Sequence, residues 1–161
     1  MPTAIARRAC LVLWLGCLGS PAAAAQELAG RAMVISADTI EVAGSRVRLH
    51  GIDAPGRAQT CRRDDGTWDC GQQAALALQR KIGDRPVRCT LRDRVTSGII
   101  IASCLVDGED LSLWLLRNGW AIAEVYYSYE HTRAELLAKT ERRGIWADGF
   151  VRSWNWPRGA D

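Results

Sequence analysis

The side chains with the most distinctive chemistry in this 161-residue sequence are six cysteines and two histidines. Cys10 and Cys17 fall in an apolar N-terminal stretch, whereas Cys61, Cys70, Cys89 and Cys104 share the body of the chain with His50 and His131. Thiols so placed either pair as disulfides in an oxidising compartment or hold zinc together with imidazoles. No Cys-x-x-Cys spacing is present, which disfavours zinc. Four cysteines in a small exported domain read as two disulfides, with three connectivities open to them. A second polar set lies nearby: Arg46, Arg48 and His50 alternate strictly with Val47 and Leu49, so the three polar residues share one face of a strand.

The compartment follows from the first residues. Arg7-Arg8, an apolar run from Ala9 to Leu18, and the small residues Pro21 to Ala25 form the three parts of a signal peptide. Cleavage is expected after Ala25, by the general secretory (Sec) route, giving a periplasmic or secreted protein. Lipidation at Cys17 competes with this, but Trp14-Leu15-Gly16 makes a poor lipobox, and a single Arg7-Arg8 pair is weak support for twin-arginine export. The apolar run is about half the length a bilayer requires, so no membrane span is expected. Removing residues 1–25 leaves residues 26–161 as one domain. It also removes two of the 21 basic residues, and the mature charge drops from +3 to +1. A nearly neutral domain lacks the broad basic field of a dedicated nucleic-acid binder, so any polyanion site must be local.

The elements that must position these residues are legible from periodicity. Leu28–Ile35, Thr39–Val42 and Arg46–His50 read as an antiparallel meander, with Ala43-Gly44-Ser45 as a turn. Residues 52–70 read as a loop. Ala74, Leu78 and Ile82 recur at helical spacing within Gly71–Ile82. Val87–Arg92 and Ile99–Val106 form a hairpin around Val95-Thr96-Ser97-Gly98, which sets Cys89 opposite Cys104 at a separation suited to a disulfide. That pairing leaves Cys61–Cys70 to close the loop. Further helices are expected over Leu111–Asn118, stopped by Gly119, and over Thr132–Arg143, with Gly144 at C′. Trp120–Val125 is an apolar connector, and Ile145-Trp146 docks back on the core. Trp114 and Trp120 lie in apolar surroundings and belong to the core. Tyr126, Tyr127, Tyr129, Trp154 and Trp156 could stack bases or sugars, although tail packing is the commoner use of such residues. Five short strands with three helices make an α+β pattern, and a small closed barrel is its natural form.

The motifs resemble the staphylococcal nuclease (thermonuclease) family. The resemblance is carried by Val34-Ile35-Ser36-Ala37-Asp38-Thr39-Ile40 followed by Val47-Arg48-Leu49-His50-Gly51-Ile52-Asp53-Ala54-Pro55. It continues through Gln59 to Cys61, Cys70-Gly71, the Cys89–Cys104 hairpin, Asp107-Gly108, Asp110-Leu111, Gly119-Trp120-Ala121 and Gly144-Ile145-Trp146. It implies a five-stranded OB-type barrel with three helices and hydrolysis of DNA and RNA phosphodiesters with Ca2+. On that basis Asp38 and Asp53 are metal carboxylates, the carbonyl of Ala54 is a further ligand, and Arg48 is a phosphate-binding catalytic arginine. Without such roles, Asp38-Thr39 would cap a turn and Asp53 would order the loop before Pro55.

The chain departs from the family pattern at three places. The glutamate assigned to water activation is Gly56, the second catalytic arginine is Ile99, and the first metal-loop aspartate is Ser36. Arg57, Arg92 or Arg94, and Asp64 or Asp65, are the available substitutes. The expected function is therefore a catalytically degenerate nuclease domain, a pseudoenzyme that binds single-stranded nucleic acid or another polyanion such as an anionic glycan, or an envelope protein. Calcium binding is expected to be weak or absent, because fewer negative ligands lower affinity. The alternatives are an active calcium-dependent endonuclease with an altered site, and a structural envelope protein.

Overall fold

A computed structural model describes residues 26–63, 65–94, 98–124 and 128–147. In chain order the strands begin with β1 (Glu27–Gly30), β2 (Ala32–Val34), β3 (Thr39–Val42), β4 (Ser45–Leu49) and β5 (Ile52–Asp53). A small hairpin, β6 (Cys61–Arg63) and β7 (Gly66–Trp68), precedes helix α1 (Cys70–Ile82). Then come β8 (Val87–Arg94), β9 (Ile100–Val106), β10 (Glu109–Asp110), α2 (Leu111–Arg117), β11 (Ile122–Ala123), α3 (Tyr129–Thr140) and a 3-10 turn at Gly144–Trp146. The signal peptide expected over residues 1–25 lies outside the described residues, as do Asp64, Tyr126, Tyr127, Trp154 and Trp156.

Alternation becomes burial. Ile40 and Val42 of β3, Val47 and Leu49 of β4, and Ile100, Ala102, Cys104 and Val106 of β9 point inward, while Arg46 is exposed and Arg48 half-buried. β2, β3 and β4 form the expected antiparallel meander. β8 and β9 form the expected hairpin, with Cys89 opposite Cys104. β4 then joins β9 in parallel, with Val47 opposite Ile100 and Arg48 opposite Ile101. Ala74, Leu78 and Ile82 of α1 and Leu111, Leu115 and Leu116 of α2 complete the main core, against which Trp114 and Trp120 pack partly buried.

The α+β, OB-like architecture is present, but the sheet is not a closed five-stranded barrel. It has seven strands, with β10 added beside β9, and the others run β1-β8-β9-β4-β3-β2. The first β-prone stretch divides at Arg31: β1 pairs with β8 at one edge and β2 with β3 at the other. Five inter-strand steps of about 4.8 Å would part the edges of a flat sheet by roughly 24 Å, whereas two residues of chain span about 7 Å. The sheet therefore curls until its edges nearly meet, and the backbone at Arg31, rather than a hydrogen-bonded ladder, joins them. Two further strand pairs arise inside segments read as loop and connector. β5 pairs with β11, and β6 with β7. Two- and three-residue strands are too short to show a period.

The third helix starts at Tyr129, not Thr132, because Ser128 caps it: its Oγ accepts from the His131 N–H. Its C-terminal residue in left-handed conformation is Arg142 (φ 50°), with Arg142 N–H donating to the Lys139 carbonyl and Arg143 N–H to the Ala138 carbonyl. Gly144 serves a different purpose. A Cβ on Gly144 would lie 2.3 Å from the Gly119 carbonyl oxygen, and one on Gly119 would lie 2.2 Å from that of Arg143. Both have positive φ, at 54° and 71°. The ends of α2 and α3 meet backbone to backbone there, with the Ile145 N–H donating to the Gly119 carbonyl. This contact seats Ile145 and Trp146 in a second core cluster beside Ile122, Ala138 and the Cys61–Cys70 bridge.

Both expected disulfides form, Cys61–Cys70 and Cys89–Cys104. They use all four cysteines of the described residues, which removes thiolate zinc ligation. Such bonds persist in oxidising, extracytoplasmic environments. Among the described residues no helix is long and apolar enough to cross a membrane.

At the end of β4, the His50 N–H donates to the Ala102 carbonyl, and its own carbonyl accepts from Ser112 Oγ. Burial holds the His50 imidazole below its ordinary value. Arg92 and His131 act in the same direction, against the opposite pull of Glu124 and Asp110.

Two outcomes are expected. Gly119→Ala should lower unfolding free energy by about 1–3 kcal/mol, since neither the clash nor the positive φ can be relieved locally; an unchanged urea midpoint would contradict the packing described. As pH falls through the ordinary histidine range near 6.5, the unfolded chain takes up its His50 proton before the folded one does. Stability should therefore decline below that pH and not above it. His50→Gln should flatten that limb of the denaturation curve, and an identical slope in the variant would remove His50 from it.

Candidate functional site

Asp38 is aimed by the turn between β2 and β3. The N–H groups of Ile35 and Ser36 both donate to the Thr39 carbonyl at 3.0 Å, and the Asp38 carbonyl accepts from the Leu49 N–H at 2.8 Å. The turn is thereby fastened to β4. Asp38 Oδ1 accepts from Ser36 Oγ (2.8 Å) and Thr39 Oγ1 (2.9 Å). The residue is 3% exposed, and Oδ2 accepts no hydrogen bond from a described residue. Ser36, at the first aspartate position of the metal loop, thus serves as a neutral donor that orients Asp38.

Asp53 arrives from a different direction. β5 is held against β11, with Asp53 opposite Ile122, and the residue is 2% exposed. Arg48, in the middle of the sheet between β3 and β9, brings the two carboxylates together. Its Nη2 donates to Asp53 Oδ1 at 3.2 Å and lies 3.4 Å from Asp38 Oδ2. Buried carboxylates need such compensation, because leaving one unpaired costs several kcal/mol. One guanidinium between two carboxylates still leaves the group one negative charge in excess.

Asp38, Arg48, Ala54, Gly56 and Ile99 all line one pocket, together with Arg46. Arg48 and Ile99 also border a second, more apolar concavity formed by Leu49, Ile52 and Ile101, with Glu124 as its acidic residue. Separate stretches of sequence are thus brought to one place, Asp53 joining through Arg48.

The loop carrying Gly56 is rigidly tied. The Gly56 N–H donates to Gln59 Oε1 (3.2 Å), the Gln59 N–H to the Gly56 carbonyl (2.8 Å), and the Gly71 N–H to the Gln59 carbonyl (3.1 Å). A Cβ on Gly71 would fall 1.8 Å from the Gly56 carbonyl oxygen, so the start of α1 must be glycine for the loop to lie there. The Cys61–Cys70 bridge closes the same loop. Gly56 itself is under no such demand. A Cβ there meets nothing within 4 Å, and its φ is not in the left-handed region.

Of the substitutes considered from the sequence, Arg57, Asp65 and Arg92 do not line this pocket. Arg57 is spent on backbone, donating to the Val34 and Ile35 carbonyls at 3.3 Å. Arg92 donates to Ser103 Oγ, and Asp65 is exposed beside β7. Asp64 and the side chain of Arg94 lie outside the described residues. Arg46 is the residue that sequence reasoning passed over, although its alternation with Arg48 put both on one face.

The donors suit a hard divalent cation in kind. Two carboxylates converge, and Asp38 Oδ2 is free of hydrogen bonds. They do not suffice in number, since calcium takes six to eight oxygens and no cluster of three acidic, histidine or cysteine ligands occurs among the described residues. Carbonyls, water and a bound ligand would have to complete the shell. Chemically, the pocket can hold an anion beside a cation.

A model of staphylococcal nuclease homologues matches residues 46–148. The succinoglycan biosynthesis protein ExoI of Rhizobium meliloti (strain 1021) is 36% identical over 129 residues, which cover 78% of this chain and 68% of that one. A probable staphylococcal-like nuclease, CAN3 of Oryza sativa subsp. japonica, is 28% identical over 116 residues, covering 70% of this chain but only 28% of that longer protein. The order of the motifs, their convergence on one pocket and these matches lead to one conclusion: the chain belongs to the staphylococcal nuclease homologue family.

Proposed function

We propose that this is an anion-binding nuclease-family domain that has lost hydrolysis, with single-stranded nucleic acid as its favoured ligand. The observation that carries the reading is the content of one pocket: Arg48 remains beside Asp38, while Gly56 and Ile99 stand where the family has a general base and a second arginine. Asp38 and Asp53, with the carbonyl of Ala54, are the residues that would hold calcium, which would polarise a phosphate. Arg48 would orient that phosphate. Among the residues that line this pocket, Asp38 is then the only carboxylate, and Gly56 offers none to take the proton from an attacking water. A general base contributes about 10²–10⁴ in rate and a charge donor about 10²–10³. Together their loss raises the barrier by roughly 5–10 kcal/mol, nearer the lower figure because such groups act as a unit.

The protein acts outside the cytoplasm in this reading, exported by the Sec route with cleavage after Ala25. A second reading, an anionic glycan in the same pocket, is favoured by the relative named for succinoglycan biosynthesis. Competition between such a glycan and an oligonucleotide distinguishes the two.

The open space at Gly56 makes a restoring substitution feasible. Labelled single-stranded DNA and RNA, incubated with oxidised mature protein in calcium or in chelator, should remain intact. The Gly56→Glu/Ile99→Arg double variant should cleave them in calcium and not in chelator. Calcium-dependent cleavage by the unaltered protein that disappears in Arg48→Ala would instead make this an active nuclease with substitute groups.

A further inference from the structure

The pocket has an imbalance that the family pattern does not resolve. Asp38 and Asp53 are both almost fully buried, and Arg48 lies between them as a single positive charge. A phosphate approaching Arg48 therefore meets a group that is already negative overall. Divalent cation is one remedy. A second positive side chain in the same pocket is another.

We propose that Arg46 is that side chain, and that it binds the phosphate oxyanion in the place where Ile99 has replaced an arginine. The inference rests on the anion-binding reading above and names a residue for it. Arg46 and Arg48 stand two positions apart on β4 with their side chains on one face, about 7 Å apart along the strand. Two extended guanidinium groups at that spacing can converge on one phosphate. β4 runs parallel to β9 with Val47 opposite Ile100, so Ile99, one residue earlier, falls beside Arg46. Both residues line the pocket with Asp38. The register puts an arginine on the neighbouring strand next to the position that lost one.

Arg46 is also uncommitted. It makes no ion pair or hydrogen bond with a described residue, although Glu41 lies opposite it in the β3–β4 register. Arg57, the other cation near this loop, is engaged with two backbone carbonyls. An exposed arginine without a partner among the described residues, beside a half-buried one shared by two carboxylates, divides the work. Arg48 holds the carboxylates together, and Arg46 supplies charge to the ligand.

The test uses the oxidised mature protein, a labelled single-stranded oligodeoxynucleotide followed by fluorescence anisotropy over a salt series, and inorganic pyrophosphate as competitor. Arg46→Ala, Arg48→Ala and Arg88→Ala are compared, Arg88 being an exposed arginine of β8 that does not line the pocket. Arg46→Ala should weaken binding about tenfold at low salt and reduce the slope of log affinity against log salt by about 0.7, the loss of one phosphate contact. Its melting temperature should be unchanged, and Arg88→Ala should bind as the unaltered protein does. Binding that survives Arg46→Ala with the same slope but fails in Arg48→Ala would overturn the role of Arg46 and leave the groove as the anion site. Binding indifferent to both substitutions, or no binding of either probe by the unaltered protein, would overturn both readings.

Discussion

The position of one guanidinium organises the polar centre of this protein. Arg48 Nη2 reaches Asp53 at 3.2 Å and Asp38 at 3.4 Å, and both carboxylates are almost wholly withdrawn from water. Each of the three residues depends on a different piece of architecture. Arg48 sits on a central strand, Asp38 on a turn fastened to that strand through Leu49, and Asp53 on a two-residue strand held by β11. A shift of any one would leave a buried charge without its partner, which costs several kcal/mol in a domain whose whole stability is of order 10 kcal/mol. The turn, the sheet and the connector are thereby held in register with one another.

Around that centre the constraints are steric rather than electrostatic. Gly71 allows the loop of residues 55–59 to lie on the start of α1, and the Gly119–Gly144 contact allows the ends of α2 and α3 to touch. Neither arrangement tolerates a Cβ. Through Ile145 and Trp146 the second contact supports the core cluster that includes Ile122, the residue paired with Asp53. Packing between the ends of α2 and α3 is in this way coupled to the placement of a carboxylate. Gly56 belongs to neither constraint. Its lack of a side chain is not demanded by the fold.

Charge completes the picture. The net charge is only +3 over 161 residues, so a distant field draws a polyanion only weakly. Attraction must come from the few arginines that face the pocket, and one of these is already bound to two carboxylates. The apolar concavity beyond Ile99 gives a ligand a surface of different character on the far side of Arg48. A polar pocket and an adjoining apolar one remain, whether or not a bond is broken there.

Much of this was legible in the residues alone, because it depends on local periodicity. The alternation of Val47 and Leu49 with Arg46 and Arg48 specified the faces of β4, and the hairpin spacing set Cys89 against Cys104, from which the second disulfide followed. The spacing of Ala74, Leu78 and Ile82 specified the buried side of α1. The family resemblance named Asp38, Arg48, Asp53, Gly56 and Ile99 as one group, and Asp38, Arg48, Gly56 and Ile99 line one pocket. The tertiary structure alone decided what long-range pairing controls. It split the first strand at Arg31 and curled the sheet, recruited residues 52–53 and 122–123 into a ladder too short to carry a pattern, and turned Ser36 into the donor that aims Asp38. It also set Arg46 beside Ile99, since the parallel register of β4 and β9 joins segments about fifty residues apart, and no local signal in either segment encodes which residue of one will face which residue of the other.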